Sequence, residues 1–272
     1  IKAKGFLLGG TAGRTTLNGE GLQHQDGHSH LIASTIPNLL AYDPAFQFEI
    51  AVIIKEGLRR MYENKEDLFY YITLGNENYK MAKKPKDCEE GILKGLYKFK
   101  KGHSKTKHKG HLFGSGSIIN EALKAQKILK EVADISVDVW SATSYKQLRT
   151  EALNCERKNI LNPNKKTEIS FLEKTINKES GFFVAASDNM KIIPDQIGKW
   201  IPGELITLGT DGFGRSDTRK NLRRFFEVDA ESIIMACIKN LKKDRKVKKD
   251  IINKLIKVCS MDEKKSYPEL VI

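Results

Sequence analysis

Three of the six histidines lie in the short polar segment Gly21-Leu22-Gln23-His24-Gln25-Asp26-Gly27-His28-Ser29-His30. Their neighbours are glycines and polar residues, so packing in an apolar core explains these histidines poorly. The imidazoles, together with the Asp26 carboxylate between them, could supply ligands for zinc. Alternatively, the glycines let the loop hold imidazoles around a reactive centre, where a group that titrates near neutral pH exchanges protons with a substrate. Structural hydrogen bonding is the third alternative, and spacing alone does not decide among them.

The remaining histidines and a second glycine turn are weaker candidates. His103, His108 and His111 lie in a lysine-rich segment, where we expect them to be exposed to solvent. The run Gly114-Ser115-Gly116-Ser117 follows an apolar stretch and opens a helical pattern, so its free N–H groups could hold an anion. It does not match the G-x-G-x-x-G pattern of dinucleotide sites, and we interpret it as a tight structural turn.

The polar loop that carries the first three histidines, residues 14–36, precedes an alternation of strand and helix patterns. An apolar run at 38–42 predicts a short strand, and helical spacing follows over 46–63. The run at 68–73 is too continuously apolar for an exposed antiparallel strand. Strand, helix and strand form the βαβ unit of a parallel sheet, which would position the loop.

A second α/β unit is predicted after the lysine-rich segment. Apolar runs predict strands at 112–117 (with its glycine turn), 137–141, 182–186 and 205–209, and helical spacing is found at 120–132, 145–158, 192–200, 230–241 and 248–258. This alternation predicts an α/β fold with a mostly parallel sheet and helices on both faces.

The two units are separated by a segment rich in lysine and glycine. We interpret residues 80–109 as a basic linker between a first domain, residues 1–79, and a second domain, residues 110–272. Aliphatic residues between Ile92 and Leu96 indicate partial order rather than free coil.

Composition argues against several classes of protein. The 47 Lys and Arg outnumber the 34 Asp and Glu, but aromatic residues do not interleave the lysine clusters, so we expect no nucleic-acid partner. The lysines are either compositional drift or an electrostatic surface. No apolar stretch approaches the length of a membrane span, and we therefore expect no membrane partner. Four scattered cysteines fit the reducing cytoplasm.

Four ordered blocks of the sequence resemble one enzyme family. They run from Gly9-Gly10-Thr11-Ala12-Gly13 to His30, from Thr35-Ile36-Pro37-Asn38 to Ala45, from Tyr71-Ile72-Thr73 to Tyr79, and from Gly209-Thr210-Asp211-Gly212-Phe213-Gly214-Arg215-Ser216-Asp217 to Asp229. The blocks resemble the homodimeric, thiamine-diphosphate-dependent pyruvate dehydrogenase decarboxylating component, which belongs to the transketolase-like superfamily. The resemblance covers essentially the whole chain.

The resemblance implies three α/β domains, of which the first binds the diphosphate and Mg²⁺, the second covers the aminopyrimidine ring and the third mainly supports the dimer. Residues 1–79 would be the end of the pyrimidine-binding middle domain, and residues 110–272 the transketolase-like carboxyl-terminal domain. The diphosphate motif and the glutamate that activates the aminopyrimidine would lie upstream of Ile1. We therefore expect a fragment, and we do not assign the role of that glutamate to Glu20.

The resemblance also implies roles within the polar segment of residues 21–30, which we call the histidine loop. His24 matches a histidine that faces the active-centre channel and helps to position pyruvate or the cofactor-bound intermediate, so we assign it as catalytic. An imidazolium there would stabilise a substrate carboxylate or a developing oxyanion. Asp26 and His30 match an Asp and a His of the related transketolase loop and would form the pocket wall. His28 has no such counterpart and is interpreted as structural, and we assign no metal ligand within this chain.

The implied function is oxidative decarboxylation of pyruvate on thiamine diphosphate and Mg²⁺, with transfer of the acetyl unit to a lipoyl group. The implied partners are a second copy of the subunit, forming a homodimer, and the lipoyl-bearing acetyltransferase component, in the cytoplasm. The alternative is a folded fragment or dimerisation module without activity of its own. A zinc hydrolase and a nucleic-acid binder rank below both.

The chain by itself should not bind thiamine diphosphate measurably, because the resemblance puts the phosphate and Mg²⁺ ligands outside it. Isothermal titration calorimetry of residues 1–272 with cofactor and Mg²⁺ checks this expectation. Binding in the micromolar range would contradict it and would require a diphosphate site within these residues.

Overall fold

A computed structural model of the chain describes residues 2–10, 12–18, 21–103, 106, 108–242 and 247–271. The first part contains β1 (Phe6–Gly9), α1 (Ser29–Ser34), β2 (Leu39–Tyr42), α2 (Gln47–Leu58), which continues as a π-helical turn over Arg59–Glu63, and β3 (Phe69–Thr73). Among the described residues these strands form one sheet in the order β1-β3-β2, and both pairings are parallel. The predicted βαβ unit is confirmed, with β1 as an additional strand.

The second part of the chain builds a larger sheet. Its elements are α3 (Glu89–Lys94), β4 (Tyr97–Lys100), β5 (Lys109–Gly114), α4 (Ile119–Ala133), β6 (Ser136–Ser141), α5 (Tyr145–Leu161), α6 (Phe171–Ile176), β7 (Phe182–Ala186), α7 (Ile192–Asp195), β8 (Leu205–Leu208), α8 (Arg219–Phe225), α9 (Ala230–Leu241) and α10 (Lys249–Cys259). Within the described ranges the strand order is β4-β6-β5-β7-β8. All pairings are parallel except that of β4 with β6. The mostly parallel α/β fold is therefore confirmed.

Helices cover both faces of the larger sheet, as expected from the alternation of patterns. Successive strand residues point to opposite faces, so Leu112 and Val184 pack in the core beneath α4, α9 and α10. Phe113 and Phe183 pack in a second core beneath α5 and α6. No helix among the described residues has the length and apolarity that crossing a lipid bilayer requires.

The segment predicted as a basic linker, residues 80–109, contains regular structure. It includes α3, in which Ile92 is buried, and the antiparallel edge strand β4. At the end of α3, Gly95 has a φ of +111°, and a side chain there would meet the carbonyl oxygen of Ser144. The positions of the domain boundaries remain a prediction.

The prediction that His111 is a solvent-exposed histidine is wrong, because it lies on β5 in the core and is only 3% exposed. Its ring stacks on Phe183 with centroids 4.8 Å apart. Nε1 of Trp140 donates to Nδ1 of His111 at 3.2 Å. Lysines precede His111 in the sequence, but the period of the strand turns its side chain inward.

Glu49 in the first turn of α2 connects the two parts of the chain through a fully buried carboxyl group. One oxygen accepts the N–H groups of Ala45 and Phe46 at 2.5 and 3.0 Å. The other accepts the hydroxyls of Tyr97 on β4 and Ser141 on β6, each at 2.6 Å. Burial raises the pKa of Glu49, and the hydrogen bonds from Ser141, Tyr97 and the backbone counteract it.

Replacing Glu49 by alanine should destabilise the fold strongly, because four buried donors would lose their acceptor. We expect the free energy of unfolding to fall by about 3 kcal/mol. Chemical denaturation monitored by circular dichroism measures the change. The control is Glu66→Ala, which removes a solvent-accessible ion pair with Arg60 and should cost less than about 1 kcal/mol. Equal losses in the two variants would contradict the role of Glu49.

Candidate functional site

The candidate site lies where the carboxyl ends of strands from both sheets meet. Asp43 directly follows β2, and Thr73 is the last residue of β3. Asn189 lies beyond the end of β7, and its Nδ2 donates to Oδ2 of Asp43 at 3.3 Å. The N–H of Gly116 donates to the carbonyl of Asp43 at 3.1 Å. Ligands of parallel α/β sheets bind outside the carboxyl ends of the strands, so a site is expected at this junction.

His30 lies in the first turn of α1 and is 7% exposed. Its Nε2 lies 3.2 Å from Oγ1 of Thr73, which donates to Oδ1 of Asp43 at 2.6 Å. The ring of Tyr71 packs edge-on against the imidazole, with centroids 5.3 Å apart. Burial lowers the pKa of His30, although the charges of Asp43 and Asp26 act in the opposite direction. The neutral imidazole is therefore favoured at neutral pH.

Asp26 caps the amino end of α1. Its Oδ1 accepts the N–H groups of His28 and Ser29, each at 3.0 Å, and its Oδ2 accepts the hydroxyl of Tyr71 at 3.4 Å. Burial acts to raise the pKa of Asp26, but the hydrogen bonds from Ser29 and His28 and the charge of His30 lower it overall. The carboxylate is thus ionised and joins the start of α1 to β3.

His24 ends a single 3₁₀ turn, Leu22–His24, and its side chain is exposed. No hydrogen bond of its imidazole to another described residue is found. The next residue, Gln25, anchors the turn: its Oε1 accepts the N–H of Arg215 at 2.7 Å, and its Nε2 donates to the carbonyl of Arg215. The backbone beside His24 is therefore fixed while the imidazole stays accessible.

His28 contacts a buried arginine. Nη2 of Arg14 lies 3.0 Å from Nε2 of His28, and Nη1 of Arg14 donates to the carbonyl of Thr210. Because a guanidinium offers only donors, the nitrogen of His28 is the acceptor. Burial lowers the pKa of Arg14, and the charges of Asp211, Asp26 and Asp188 oppose the shift.

Asp188, beyond the end of β7, holds the glycine turn that precedes the histidine loop. Its carboxylate accepts the N–H of Thr15 at 2.9 Å and the hydroxyl of Thr16 at 2.6 Å. Gly13 has a φ of +86°, and a Cβ there would lie 2.2 Å from Oδ2 of Asp188. Burial raises the pKa of Asp188 to about 6, although the hydrogen bonds from Thr16 and Thr15 lower it.

A buried arginine of α8 adds a further connection between the two parts of the chain. Arg223 contacts both carboxylate oxygens of Glu77, and its Nη1 lies 3.3 Å from Oε1 of Glu121. In the preceding turn, Arg219 donates to the carbonyls of Thr16 and Asn76 at 2.6 and 2.8 Å. The helix therefore fixes the segment that leads into the histidine loop.

A lysine from α5 holds the opposite end of α1. The ammonium of Lys146 donates to the carbonyls of Ala33 and Ile36 at 2.8 and 2.6 Å, and to that of Leu39. These carbonyls lie at the end of α1, in the following turn and at the start of β2. Burial lowers the pKa of Lys146 to about 8.

A cluster with possible metal ligands lies away from the histidine loop, on two neighbouring strands of the larger sheet and in the segment before β7. Ligand atoms of His111, Asp138 and Glu179 lie within 4.8 Å of one another. The ammonium of Lys98 contacts both carboxylates at 2.6 Å. Both imidazole nitrogens have partners, the indole of Trp140 and a backbone carbonyl. The ammonium of Lys98 thus offsets one of the two carboxylate charges of the cluster.

Two sequence features could be mistaken for parts of a thiamine diphosphate and Mg²⁺ site. Thr210-Asp211-Gly212 partly resembles a diphosphate motif, but the carboxylate of Asp211 already accepts the N–H of Lys191 and the hydroxyl of Tyr267. Glu20, which we do not assign as the activating glutamate, lies outside the described residues. Asp211 is therefore committed to contacts within the protein.

The structure brings Asp26 and His30 together around Tyr71 and leaves His24 exposed on the same loop. Sequence reasoning missed Asp43, Thr73, Asp188 and Asn189, which surround this loop or the segment before it. A usable signal was present, because each lies at or just beyond the end of a parallel strand. Arg14 and Arg223 had no comparable local signal.

The fold defined by these two units is that of the transketolases. A transketolase mutant from Pichia stipitis matches with a TM-score of 0.61 and 16% identity over 88% of this chain and 30% of that chain. The transketolase from Campylobacter jejuni matches with a TM-score of 0.60 and 17% identity over 84% and 30%. A chain titled "Split gene transketolase, inactive beta4 tetramer" matches with a TM-score of 0.59 and 17% identity over 88% and 67%.

Sequence comparison resolves the family within that fold. Residues 1–82 match the family model "Pyruvate dehydrogenase E1 component middle domain", and residues 95–229 match "Transketolase-like TK C-terminal domain". The chain belongs to the family of pyruvate dehydrogenase E1 components. It is 47% identical to the E1 component of Pseudomonas aeruginosa over 98% of its residues, and 44% identical to that of Escherichia coli over 99%. It spans about 30% of the length of these relatives.

The buried carboxyl of Asp188 should make stability depend on pH in a defined direction. Its pKa of about 6 in the folded state exceeds the value of 3.8 expected when unfolded, so between these values the folded state binds more protons. The free energy of unfolding should therefore fall as the pH rises from about 4 to about 6, by about 3 kcal/mol at most.

Asp188→Asn should abolish this part of the pH dependence, which denaturant unfolding at several pH values measures as a difference from wild type. The control Asp67→Asn changes an exposed carboxylate that pairs with Lys2 and keeps Asp188. If Asp188→Asn followed the wild-type curve between pH 4 and 6, the carboxyl would not be the group responsible.

Proposed function

We propose that this chain is part of a subunit that oxidatively decarboxylates pyruvate with thiamine diphosphate and passes the acetyl unit to a lipoyl group. The observation that carries the proposal is the match of nearly the whole chain, at 43% to 48% identity, to proteins named pyruvate dehydrogenase E1 component. The arrangement of the histidine loop supports it, because an accessible imidazole stands beside a fixed and partly buried polar wall.

The residues of this chain would orient substrate and move protons, whereas bound thiamine diphosphate would supply a thiazolium ring that accepts the electron pair left by decarboxylation. The exposed imidazole of His24 would donate to a substrate carboxylate or a developing oxyanion. Asp26 would hold the loop in place against α1 and β3. His30 would present a neutral imidazole in the pocket wall. The phosphate and Mg²⁺ ligands would come from other parts of the subunit.

The proposed partners are a second copy of the subunit and a lipoyl-bearing acetyltransferase component. In the edge strand β1, Leu7 and Leu8 are each 55% exposed, as expected for a surface that packs against further protein. The four cysteines are buried and free of disulfides, which is consistent with the reducing cytoplasm. We propose neither a nucleic acid nor a membrane as a partner.

The alternative function is a folded module without activity of its own. One observation favours it: the fold neighbour titled as an inactive tetramer of a split-gene transketolase is a chain of which this one covers 67%. Under this alternative the two sheets and their buried junction would serve assembly, and the histidine loop would make no chemical contribution.

In the full-length subunit, His24→Ala should lower the rate of pyruvate decarboxylation about 10² to 10³-fold, because one preorganised electrostatic group would be lost. Its thermal unfolding should remain close to that of wild type, since the side chain is exposed. Steady-state kinetics with pyruvate measures the decarboxylation step. A second assay, the acetylation of free lipoyl domain, measures acetyl transfer.

The matched control is His28→Ala on the same loop, which should cost much less activity. If both variants kept wild-type activity, or if His28→Ala proved the more damaging, the role assigned to His24 would be wrong. A correctly folded full-length subunit with no turnover of pyruvate would favour the inactive module.

A further inference from the structure

The hydroxyl of Thr73, at the end of β3, lies among three polar groups. Its Oγ1 is 2.6 Å from Oδ1 of Asp43 and 3.2 Å from the carbonyl oxygen of Tyr42. The third neighbour, Nε2 of His30, is also 3.2 Å away. Thr73 is 2% exposed, so water does not compete for these contacts.

A count of protons assigns the direction of each hydrogen bond. The hydroxyl of Thr73 has one proton, and both the Asp43 carboxylate and the Tyr42 carbonyl can only accept. The short contact with Asp43 therefore takes that proton, and Oγ1 is an acceptor toward His30. If the hydroxyl donated to His30 instead, its lone pairs would face two acceptors without a proton between them, which is costly for a hydroxyl that is itself buried.

The protonation of the other imidazole nitrogen, Nδ1 of His30, follows from this assignment. Burial lowers the pKa of His30 and favours its neutral form, in which one nitrogen carries a proton and the other does not. With the proton on Nε2, the lone pair is on Nδ1. Within the described part of the chain, Nδ1 has no hydrogen-bond partner.

We propose that Thr73 and Asp43 are positioning residues that hold His30 in the Nε2–H tautomer, so that its Nδ1 accepts a hydrogen bond from an O–H or N–H group of a ligand. His30 would then differ from His24 in chemistry, because a neutral acceptor cannot neutralise a carboxylate or an oxyanion. The role of Nδ1 toward a ligand rests on the proposed function, whereas the tautomer itself does not.

Neutron diffraction from deuterium-exchanged crystals of the full-length subunit near neutral pH tests the tautomer directly. We expect deuterium on Nε2 of His30 and none on Nδ1. Deuterium on Nδ1, or on both nitrogens, would overturn the proposal. This measurement needs no substrate, so it decides the tautomer even if the subunit does not turn over pyruvate.

Three variants test whether Thr73 is the cause. Thr73→Val removes the acceptor, and deuterium should then appear on Nδ1 in at least part of the molecules. Thr73→Ser keeps the hydroxyl and should restore the Nε2–H form. The control Thr143→Val deletes another fully buried hydroxyl, which donates to the carbonyl of Ile92, and should leave His30 unchanged. An unaltered Nε2–H tautomer in Thr73→Val would show that Thr73 does not set it.

Turnover provides a separate readout of the role of Nδ1. We expect Thr73→Val to lower kcat about tenfold, with Thr73→Ser within about twofold of wild type, as loss and recovery of one hydrogen bond predict. Thermal unfolding of Thr73→Val and Thr143→Val shows whether the two deletions cost similar stability. A wild-type kcat in a Thr73→Val subunit whose tautomer has changed would refute the acceptor role while leaving the tautomer assignment intact.

Discussion

The carboxylate of Asp43 joins the carboxyl ends of two parallel sheets, and the geometry of the histidine loop depends on this connection. One oxygen accepts from Thr73 of the smaller sheet, and the other accepts from Asn189 beside the larger sheet. The glycine turn after β5 closes on the same group: Gly116 has a φ of +49°, and a Cβ there would lie 2.8 Å from Oδ1 of Asp43. Asp43 is half-buried, and a shift of either sheet would remove one of these hydrogen-bond donors from its carboxylate.

Cations that are buried or half-buried connect the irregular segments to the rest of the fold. Arg14, Lys146 and Arg223 donate across the boundary between the two sheets, and two of them bind backbone carbonyls of the other part of the chain. A loop without regular secondary structure cannot satisfy its own backbone groups, so it takes partners from the neighbouring domain. The loop is thus preorganised by both domains, in keeping with family matches to both parts of the chain.

The three assigned residues of the histidine loop, His30, Asp26 and His24, differ in exposure and in electrostatic environment. His30 is enclosed by strand ends and by the ring of Tyr71, and burial favours its neutral form. Asp26 is held ionised by the amino end of α1. His24 remains exposed to solvent. Three titratable groups close together in sequence therefore lie in three different environments.

Sequence by itself determined the α/β class, the parallel order implied by continuous apolar runs, most helix and strand positions, and the family. These properties are encoded locally, in the period of apolar residues and in contiguous motifs. Tertiary structure alone decided that β4 is an antiparallel edge strand, that His111 is buried, that Asp26 caps a helix, and that Asp188 holds the glycine turn. Arg14 and Thr210 lie 196 positions apart and form one contact. No local pattern records such a pair, because only the packed chain brings its two buried groups to hydrogen-bonding distance.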